Sequence, residues 1–189
     1  MRVLTKEEFE QEKLVLSEAI WNGAVFIHPT DTIYGVGCNA LLSKSVQKIR
    51  MAKKRYESPF SVIAPSREWI HENCLVNEEA NKWVNKLPGP YTLILQLKNK
   101  DCIAPDVNNN MPTLGIRMPD HWFSSAVKGL AFPIVTTSAN VAGGNFMTDL
   151  DNLDQKIKNE VEFIIYEGEK RGRPSKIVDL TKELKVIER

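Results

Sequence analysis

The sequence is poor in the features that would place it outside the ordinary globular proteins. Only three cysteines occur, Cys38, Cys74 and Cys102, an odd number at wide and unrelated spacings. That pattern fits neither a disulfide framework nor a zinc site, and it favours a reduced, cytoplasmic setting. The longest apolar stretches, such as 24–27 and 91–95, are too short to cross a bilayer. The N-terminal segment carries acidic residues where a signal peptide would need an apolar run.

The chain also lacks a strong net charge. Lys and Arg number 25 against 24 Asp and Glu, which leaves a formal net charge of +1 at pH 7. No global field therefore draws the protein to nucleic acid or to an anionic membrane, and any basic site must be local. The content of 42% hydrophobic and 26% charged residues is that of a soluble globular protein. Its 189 residues suffice for one domain, which we expect to span 1–189.

Known nucleotide-binding and catalytic signatures are missing as well. The chain contains neither Gly-x-x-x-x-Gly-Lys-Ser/Thr nor Gly-x-Gly-x-x-Gly. The histidines His28, His71 and His121 lie far apart without a paired ligand spacing, so we expect no metal site built from protein side chains. His71 is expected at the surface of a helix. No Ser-His-Asp or Cys-His arrangement is visible locally, although such partners can lie far apart in sequence.

What the sequence does contain is an interleaved pattern of helical and extended segments. Thr5 and Glu8 have the form of a capping box, which opens a helix with Phe9, Leu16 and Ile20 on one face. Because helices and strands interleave without strict alternation, the pattern predicts an α/β domain with a mixed, twisted sheet. Further helices are predicted over 43–54, 77–87, 122–130 and 150–161, strands over 24–27, 60–64, 91–97, 114–118, 134–137, 163–166, 177–180 and 186–187, and a long irregular connection over 101–111.

Polar residues collect in four segments, 29–35, 53–55, 136–140 and 171–175. Three of them have a simple structural alternative: a turn for the first, a solvated helix end for the second and a flexible basic loop for the fourth. The third is harder to explain as a plain turn, because four polar side chains directly follow a predicted buried strand. Small hydroxyls and backbone N–H groups in such a turn can bind an anion.

Two cationic features add to this pattern. Lys53 and Arg55 could clamp a phosphate, since Lys supplies a point charge and Arg a bidentate fork. We expect both to lie in a polar segment outside the core. Arg117 lies instead in the middle of a short apolar strand, where a charge is expensive unless it meets an anion or a carboxylate.

Six short motifs follow one another along the chain: Pro-Thr-Asp-Thr-x-Tyr-Gly at 29–35, Lys-x-Arg at 53–55, Pro-Gly-Pro-Tyr-Thr at 88–92, Gly-Ile-Arg-Met-Pro-Asp-His at 115–121, Thr-Ser-Ala-Asn at 137–140 and Ser-x-Ile-Val-Asp at 175–179. Taken together and in this order, they resemble the YrdC family. Each is weak alone, but the six follow the family's order over nearly the whole chain. The resemblance implies an α/β fold with a strongly twisted mixed sheet flanked by helices, an open fold with a concave basic cleft.

The resemblance also implies an activity. Members of the family are threonylcarbamoyl-AMP synthases, which convert L-threonine, bicarbonate and ATP into L-threonylcarbamoyladenylate and pyrophosphate. ATP is then a substrate, with Mg²⁺ bound through its phosphates. The product serves a tRNA-threonylcarbamoyl transferase, which modifies the tRNA adenosine beside the anticodon. Weak tRNA binding would accompany this role, and no membrane is involved.

Residue by residue, the resemblance assigns two sets of contacts. Lys53 and Arg55 are expected to be catalytic and to hold the ATP phosphates. The remaining nucleotide contacts are Thr113, Ser138, Asn140 and Arg189, and the threonine contacts are Thr32, Arg117, Thr136 and Ser175, with Arg117 on the carboxylate.

Two departures from the family pattern keep alternatives open. Ser58 and Ile63 stand where many relatives have Asn and His, and these positions are expected to line the same pocket. Phe146 replaces a small polar residue. The alternatives are a YciO-like paralogue with weak or different activity, and a domain that binds double-stranded RNA or tRNA without chemistry. The near-zero net charge argues against the second, because affinity from counterion release needs many cationic contacts.

Overall fold

The structure, a computed structural model, describes residues 1–182 and 184–188. Its helices are α1 (Lys6–Gln11), α2 (Lys13–Trp21), α3 (Ser43–Lys53), α4 (Arg67–Asn73), α5 (Glu78–Val84), α6 (Pro105–Asn108), α7 (Trp122–Leu130) and α8 (Gln155–Glu160). Its strands are β1 (Arg2–Leu4), β2 (Phe26–His28), β3 (Gly35–Gly37), β4 (Ser61–Ile63), β5 (Cys74–Leu75), β6 (Tyr91–Leu97), β7 (Thr113–Arg117), β8 (Ile134–Ser138), β9 (Phe163–Ile165), β10 (Lys176–Asp179) and β11 (Lys185–Ile187).

The strands form one open, mixed sheet, which confirms the predicted α/β class. Along the described chain the order is β1-β9-β2-β3-β8-β4-β7-β6-β10-β11, with β5 added to β6. The pairs β1–β9, β2–β9, β4–β7 and β6–β10 are parallel, and the remaining pairs are antiparallel. Strands that are neighbours in space are therefore often distant in the chain, which brings polar segments from all parts of the sequence together. No helix of the described residues is long and apolar enough to cross a membrane.

Local sequence signals account for many element boundaries. Thr5 caps α1 with the reciprocal bonds of a capping box to Glu8, as predicted. Gly23 follows α2 with φ of +102°, a conformation that ends a helix and strongly favours glycine. The predicted first helix is in fact two, because Glu12, with φ and ψ of −98° and 16°, leaves the helical conformation and separates α1 from α2. The segment predicted as an irregular connection over 101–111 contains the short helix α6.

Two apolar cores cover the sheet. One cluster includes Val36, Val62 and Ile116 together with side chains of α3, α5 and α8. The second includes Phe26, Ile63 and side chains of α1, α2 and α7. Directly paired residues lie on one face, and alternate residues of a strand return to it. Ile63 is therefore on the face opposite Val62, so the two clusters pack on opposite faces of the central strands.

Candidate active site

Strand pairing assembles a row of small polar residues on one face of the sheet. Gly35 of β3 pairs with Ser138 of β8, and Thr136 of β8 pairs with Ser61 of β4. Ser61 pairs in turn with Gly115 of β7. These residues share the face of Ile63, so the second core covers one part of this face while the small polar residues occupy the next. Alternation along short strands thus turns residues from four distant segments toward one surface.

This surface is the floor of an open cleft. The cleft encloses about 670 Å³, part of it open solvent. Its apolar lining includes Tyr34, Phe60 and Phe146, and Arg55 and Arg117 are its charged side chains among the described residues. A cleft with two guanidinium groups and many hydroxyls suits a ligand that carries anionic groups and hydrogen-bonding groups. The hydroxyl side chains that line it are Thr30, Ser61, Thr92, Thr136, Thr137, Ser138 and Ser175.

Most of the residues predicted to bind ligands meet at this cleft. Arg55, Arg117, Thr136, Ser138 and Ser175 line it. A second group consists of Thr32, Lys53 and Asn140, each of which contacts a lining residue. Thr113 lies on the same face of β7 as Arg117 but outside the lining, and Arg189 lies outside the described residues.

Lys53 lies in a position that differs from the sequence expectation. Its side chain is only 1% exposed, so the prediction that it lies outside the core is wrong. The ammonium donates to the backbone oxygen of Ser138, to the backbone oxygen of Asn140 at 2.7 Å and to Asn140 Oδ1 at 3.2 Å. Asn140 Oδ1 also accepts from Ser138 Oγ at 2.5 Å. Lys53 therefore holds the turn after β8 in shape, and its charge lies behind the cleft wall.

Burial opposes the charge on Lys53. Desolvation, with a smaller contribution from Arg55, lowers the pKa of its ammonium to about 7. Three oxygen acceptors favour the charged form, since only an ammonium has three N–H donors. Burial likewise lowers the pKa of Arg55, whose guanidinium lies 5.6 Å from the Phe60 ring and donates to the Pro59 carbonyl oxygen at 3.2 Å.

Arg117 meets a carboxylate inside the protein, which confirms the expectation from its apolar strand. Its Nη2 donates to Asp31 Oδ1 at 2.8 Å and to Thr32 Oγ1 at 3.2 Å, and both Arg117 and Asp31 are nearly buried. Asp31 Oδ2 accepts from the Asp120 backbone at 3.0 Å. The hydroxyl groups of Thr30 and Thr32 share a hydrogen bond of 3.0 Å. The segment 30–32 therefore fixes the direction in which this guanidinium points.

The segment 167–175 packs onto the same region. A Cβ on Gly172 would lie 2.2 Å from the Thr32 carbonyl oxygen, so only glycine allows this close approach. Ser175 Oγ shares a hydrogen bond of 2.7 Å with Thr92 Oγ1. At the other end, Glu167 accepts from Lys170 at 2.6 Å and from Trp122 at 3.0 Å. This segment, predicted only as a basic loop or a threonine contact, covers one end of the cleft.

Sequence reasoning missed several lining residues and misplaced two. Ser61 and Thr92 belong to predicted strands, and alternation would have put them on one face, but the pairing partners were unknown. Ser58 and Ile63 do not line the cleft. Ile63 is fully buried in the second core, and Ser58 is exposed at a shallow hollow beside Arg55.

Comparison with known proteins places this chain in a family. The sequence model described as telomere recombination, Sua5/YciO/YrdC, matches residues 18–189. The chain belongs to the Sua5/YciO/YrdC family. A relative from Methanocaldococcus jannaschii is 34% identical over 183 residues, with 94% of this chain and 84% of the relative covered. The threonylcarbamoyl-AMP synthase of Vibrio campbellii is 28% identical and covers 92% of this chain and 94% of its own length.

Solved structures of the family agree with the fold. Sua5 of Pyrococcus abyssi in complex with L-threonine matches with a TM-score of 0.85 at 28% identity, covering 96% of this chain. This chain spans 54% of that protein, about half its length. YciO of Escherichia coli matches with a TM-score of 0.84 over 99% of this chain and 93% of its own, at 20% identity, which establishes a shared fold only. The predicted family and its open, twisted sheet are therefore confirmed.

In this member of the Sua5/YciO/YrdC family, the lowered pKa of the buried Lys53 predicts that the free energy of unfolding depends on pH. A folded-state pKa of about 7 lies below the ordinary value of 10.5, so the unfolded chain binds more protons between these values. The free energy of unfolding of the wild type should therefore rise with pH from about 7 to 10, by at most about 1.4 kcal/mol per pH unit, relative to Lys53→Met. Denaturant titrations of both proteins at pH 7, 8 and 9 measure the difference. If the free energies of unfolding of the wild type and Lys53→Met differ by the same amount at all three pH values, the pKa of Lys53 is not lowered.

Proposed function

We propose that this protein is a threonylcarbamoyl-AMP synthase that joins L-threonine, bicarbonate and ATP into L-threonylcarbamoyladenylate with release of pyrophosphate. The observation that carries the proposal is one cleft lined by Arg55, Arg117 and a row of hydroxyl side chains, in a chain of the Sua5/YciO/YrdC family. Threonine carries a carboxylate and ATP a chain of phosphates, so the reaction needs two sites for anions in one cavity. The threonine-bound Sua5 structure supports one of the two ligands.

Arg117 and its neighbours are suited to the amino acid. In this proposal the guanidinium binds the carboxylate of threonine, while Asp31 holds it in place from the protein side. A guanidinium has five N–H donors, so one Arg can serve two carboxylates. Thr32, Thr136 and Ser175 supply hydroxyls to the same ligand. The burial of the Arg117–Asp31 pair keeps the geometry fixed before the ligand arrives.

Arg55 and the turn after β8 are suited to the nucleotide. Arg55 would contact the phosphates directly, together with Ser138 and Asn140. Lys53 would act from behind the turn, where it fixes the backbone of 138–140 and adds positive charge. Thr113 and Arg189 complete the proposed nucleotide contacts. Mg²⁺ arrives as part of the nucleotide, bound to its phosphates, and no residue of the chain is assigned to it.

The proposed chemistry requires positioning more than proton transfer. The threonine amine adds to carbon dioxide derived from bicarbonate and loses a proton, which gives a carbamate. A carbamate oxygen then attacks the α-phosphorus of ATP, and the bond to the leaving pyrophosphate breaks. Cations and hydrogen-bond donors stabilise the charge that develops on the phosphoryl oxygens. Because a free carbamate is short-lived in water, closure of the cleft by 167–175 would protect it.

The product would be used by a separate acceptor enzyme. A mixed anhydride between a carbamate and AMP is an activated acyl donor, and we propose a tRNA-threonylcarbamoyl transferase as its consumer. The net charge of +1 gives no basis for strong tRNA binding by this chain itself.

The direct test is pyrophosphate release from ATP. We expect release only when threonine and bicarbonate are both present, and the omission of either should reduce it to background. Tight RNA binding without pyrophosphate release would instead favour the binding-domain alternative. Pyrophosphate release that does not depend on threonine would favour a different substrate, as for a YciO-like paralogue.

Replacement of Arg55 should reduce turnover much more than stability. Its guanidinium lines the cleft, and its one hydrogen bond among the described residues goes to the Pro59 carbonyl. Loss of a donor to a developing phosphoryl charge lowers kcat by about a hundredfold or more. Arg55→Gln and the neighbouring exposed Lys54→Gln form a matched pair, compared by pyrophosphate release and thermal midpoint. Near-normal turnover in Arg55→Gln would remove this residue from the mechanism.

Replacement of Arg117 by Lys should weaken threonine binding and spare ATP. Lys keeps a positive charge opposite Asp31, whereas Ala would leave a buried carboxylate unpaired at a cost of about 3–5 kcal/mol. An ammonium does not reproduce the planar fork that matches a carboxylate, so we expect a loss in threonine affinity of about tenfold or more. Calorimetric titration with each ligand separately measures it. An equal loss of affinity for threonine and for ATP would mean that Arg117 supports the structure of the strand and does not bind threonine.

A further inference from the structure

His28 lies at the border between the second core and the cleft. It is the last residue of β2 and pairs with Gly35 of β3, which pairs with Ser138 of β8. Its side chain therefore projects from the same sheet face as the cleft hydroxyls. On the core side its ring stacks on Phe123, with centroids 4.9 Å apart and planes at 11°. On the other side it meets Gly35, which lines the cleft.

The ring is packed closely against the glycines of β3. A Cβ on Gly35 would lie 2.9 Å from His28 Nε2, and a Cβ on Gly37 would lie 3.0 Å from its Cδ2. The same Cβ on Gly35 would lie 3.1 Å from Thr136 Oγ1. His28 Nε2 and the Thr136 hydroxyl therefore both lie close to the same point over the backbone of Gly35. Thr136 also lines the cleft, so a hydroxyl group of the cleft lining lies near the imidazole.

The hydrogen-bonding role of Nε2 follows from its surroundings. Nδ1 lies 3.3 Å from the Pro29 carbonyl oxygen, and a carbonyl can only accept, so Nδ1 carries the proton. Full burial keeps the imidazole neutral and lowers its pKa to about 3. Nε2 is then a lone-pair acceptor, and no donor reaches it among the described residues. A buried acceptor without a donor costs free energy, which any donor reaching it would recover.

We propose that His28 is a positioning residue that acts through Thr136: its Nε2 accepts a hydrogen bond directly from the Thr136 hydroxyl when the amino acid is bound. With its proton directed at His28, Thr136 Oγ1 presents only lone pairs to the cleft. It then accepts from an N–H of the amino acid, and so helps to hold the amino group at a fixed place in the cleft. The inference rests on the proposed function, because it assigns an orientation to the same substrate.

Two variants of His28 separate this role from packing. His28→Leu removes the acceptor at similar volume, and His28→Gln returns an acceptor near the position of Nε2. We expect His28→Leu to raise the KM for threonine about three- to tenfold, with kcat and the KM for ATP nearly unchanged, since one net hydrogen bond is lost. His28→Gln should lie within about twofold of the wild type. Thr136→Val should show the same rise, and the double variant His28→Leu, Thr136→Val should be no worse than Thr136→Val.

Calorimetric titration with threonine in the absence of ATP tests the proposed function and the role of His28 separately. A wild type that binds no threonine overturns the proposed function and this inference with it. A wild type that binds threonine, with His28→Leu unaffected or with additive effects of the two substitutions, overturns the inference alone.

A spectroscopic measurement on the wild type follows His28 Nε2 directly. The chain has three histidines, so nitrogen-15 labelling of histidine gives a simple spectrum. The Nε2 resonance of His28, identified by its absence in His28→Gln, should shift toward that of a hydrogen-bonded nitrogen when threonine is added. An unchanged resonance at saturating threonine contradicts the proposal.

Discussion

The site depends on one constraint: a single face of the sheet is only partly covered by apolar packing. The second core packs against Ile63 and Phe26 on this face, and the neighbouring positions carry Ser61, Thr136 and Ser138 instead. Strands of three to five residues leave little choice of register, because a slip by one residue would turn these hydroxyls into the first core and its apolar side chains into the cleft. The same pairing that stabilises the core therefore positions the cleft.

Electrostatics are arranged in two layers around this floor. Arg55 and Arg117 reach the cleft, while Lys53 lies behind it and is bonded to the backbone oxygens of Ser138 and Asn140. A cation in a poorly hydrated position interacts more strongly than one in water, and the three acceptors of Lys53 offset part of the cost of burying it. Arg117 is held by Asp31. The charges of Arg55 and Arg117 are in place before a ligand arrives, which is what transfer to a phosphoryl group requires from a protein.

The sequence predicted the family and the fold class, and five of the residues that it assigned to ligands line the cleft, namely Arg55, Arg117, Thr136, Ser138 and Ser175. The strand over 91–97 was predicted because an apolar run follows Pro88-Gly89-Pro90, which ends the preceding helix, and stops at the polar residues 98–101. β1 was missed because its three residues pair with β9, more than 150 positions away, and nothing local marks it. The burial of Lys53 and the partner of Arg117 were likewise not readable locally, since the oxygens they meet lie 85 residues or more away in the chain. Ile63 was expected in the cleft, but its position in the strand places it in the second core.

The central claim is that one cleft brings together threonine, a one-carbon unit and the α-phosphate. Mass spectrometry of the reaction with carbon-13 bicarbonate, threonine and ATP tests it most directly. We expect a product in which threonine is joined to AMP through one carbon-13 carbonyl group. In the initial phase of the reaction it should form in the same amount as pyrophosphate. AMP and pyrophosphate formed without any carbon-13 in an AMP-linked product would contradict it.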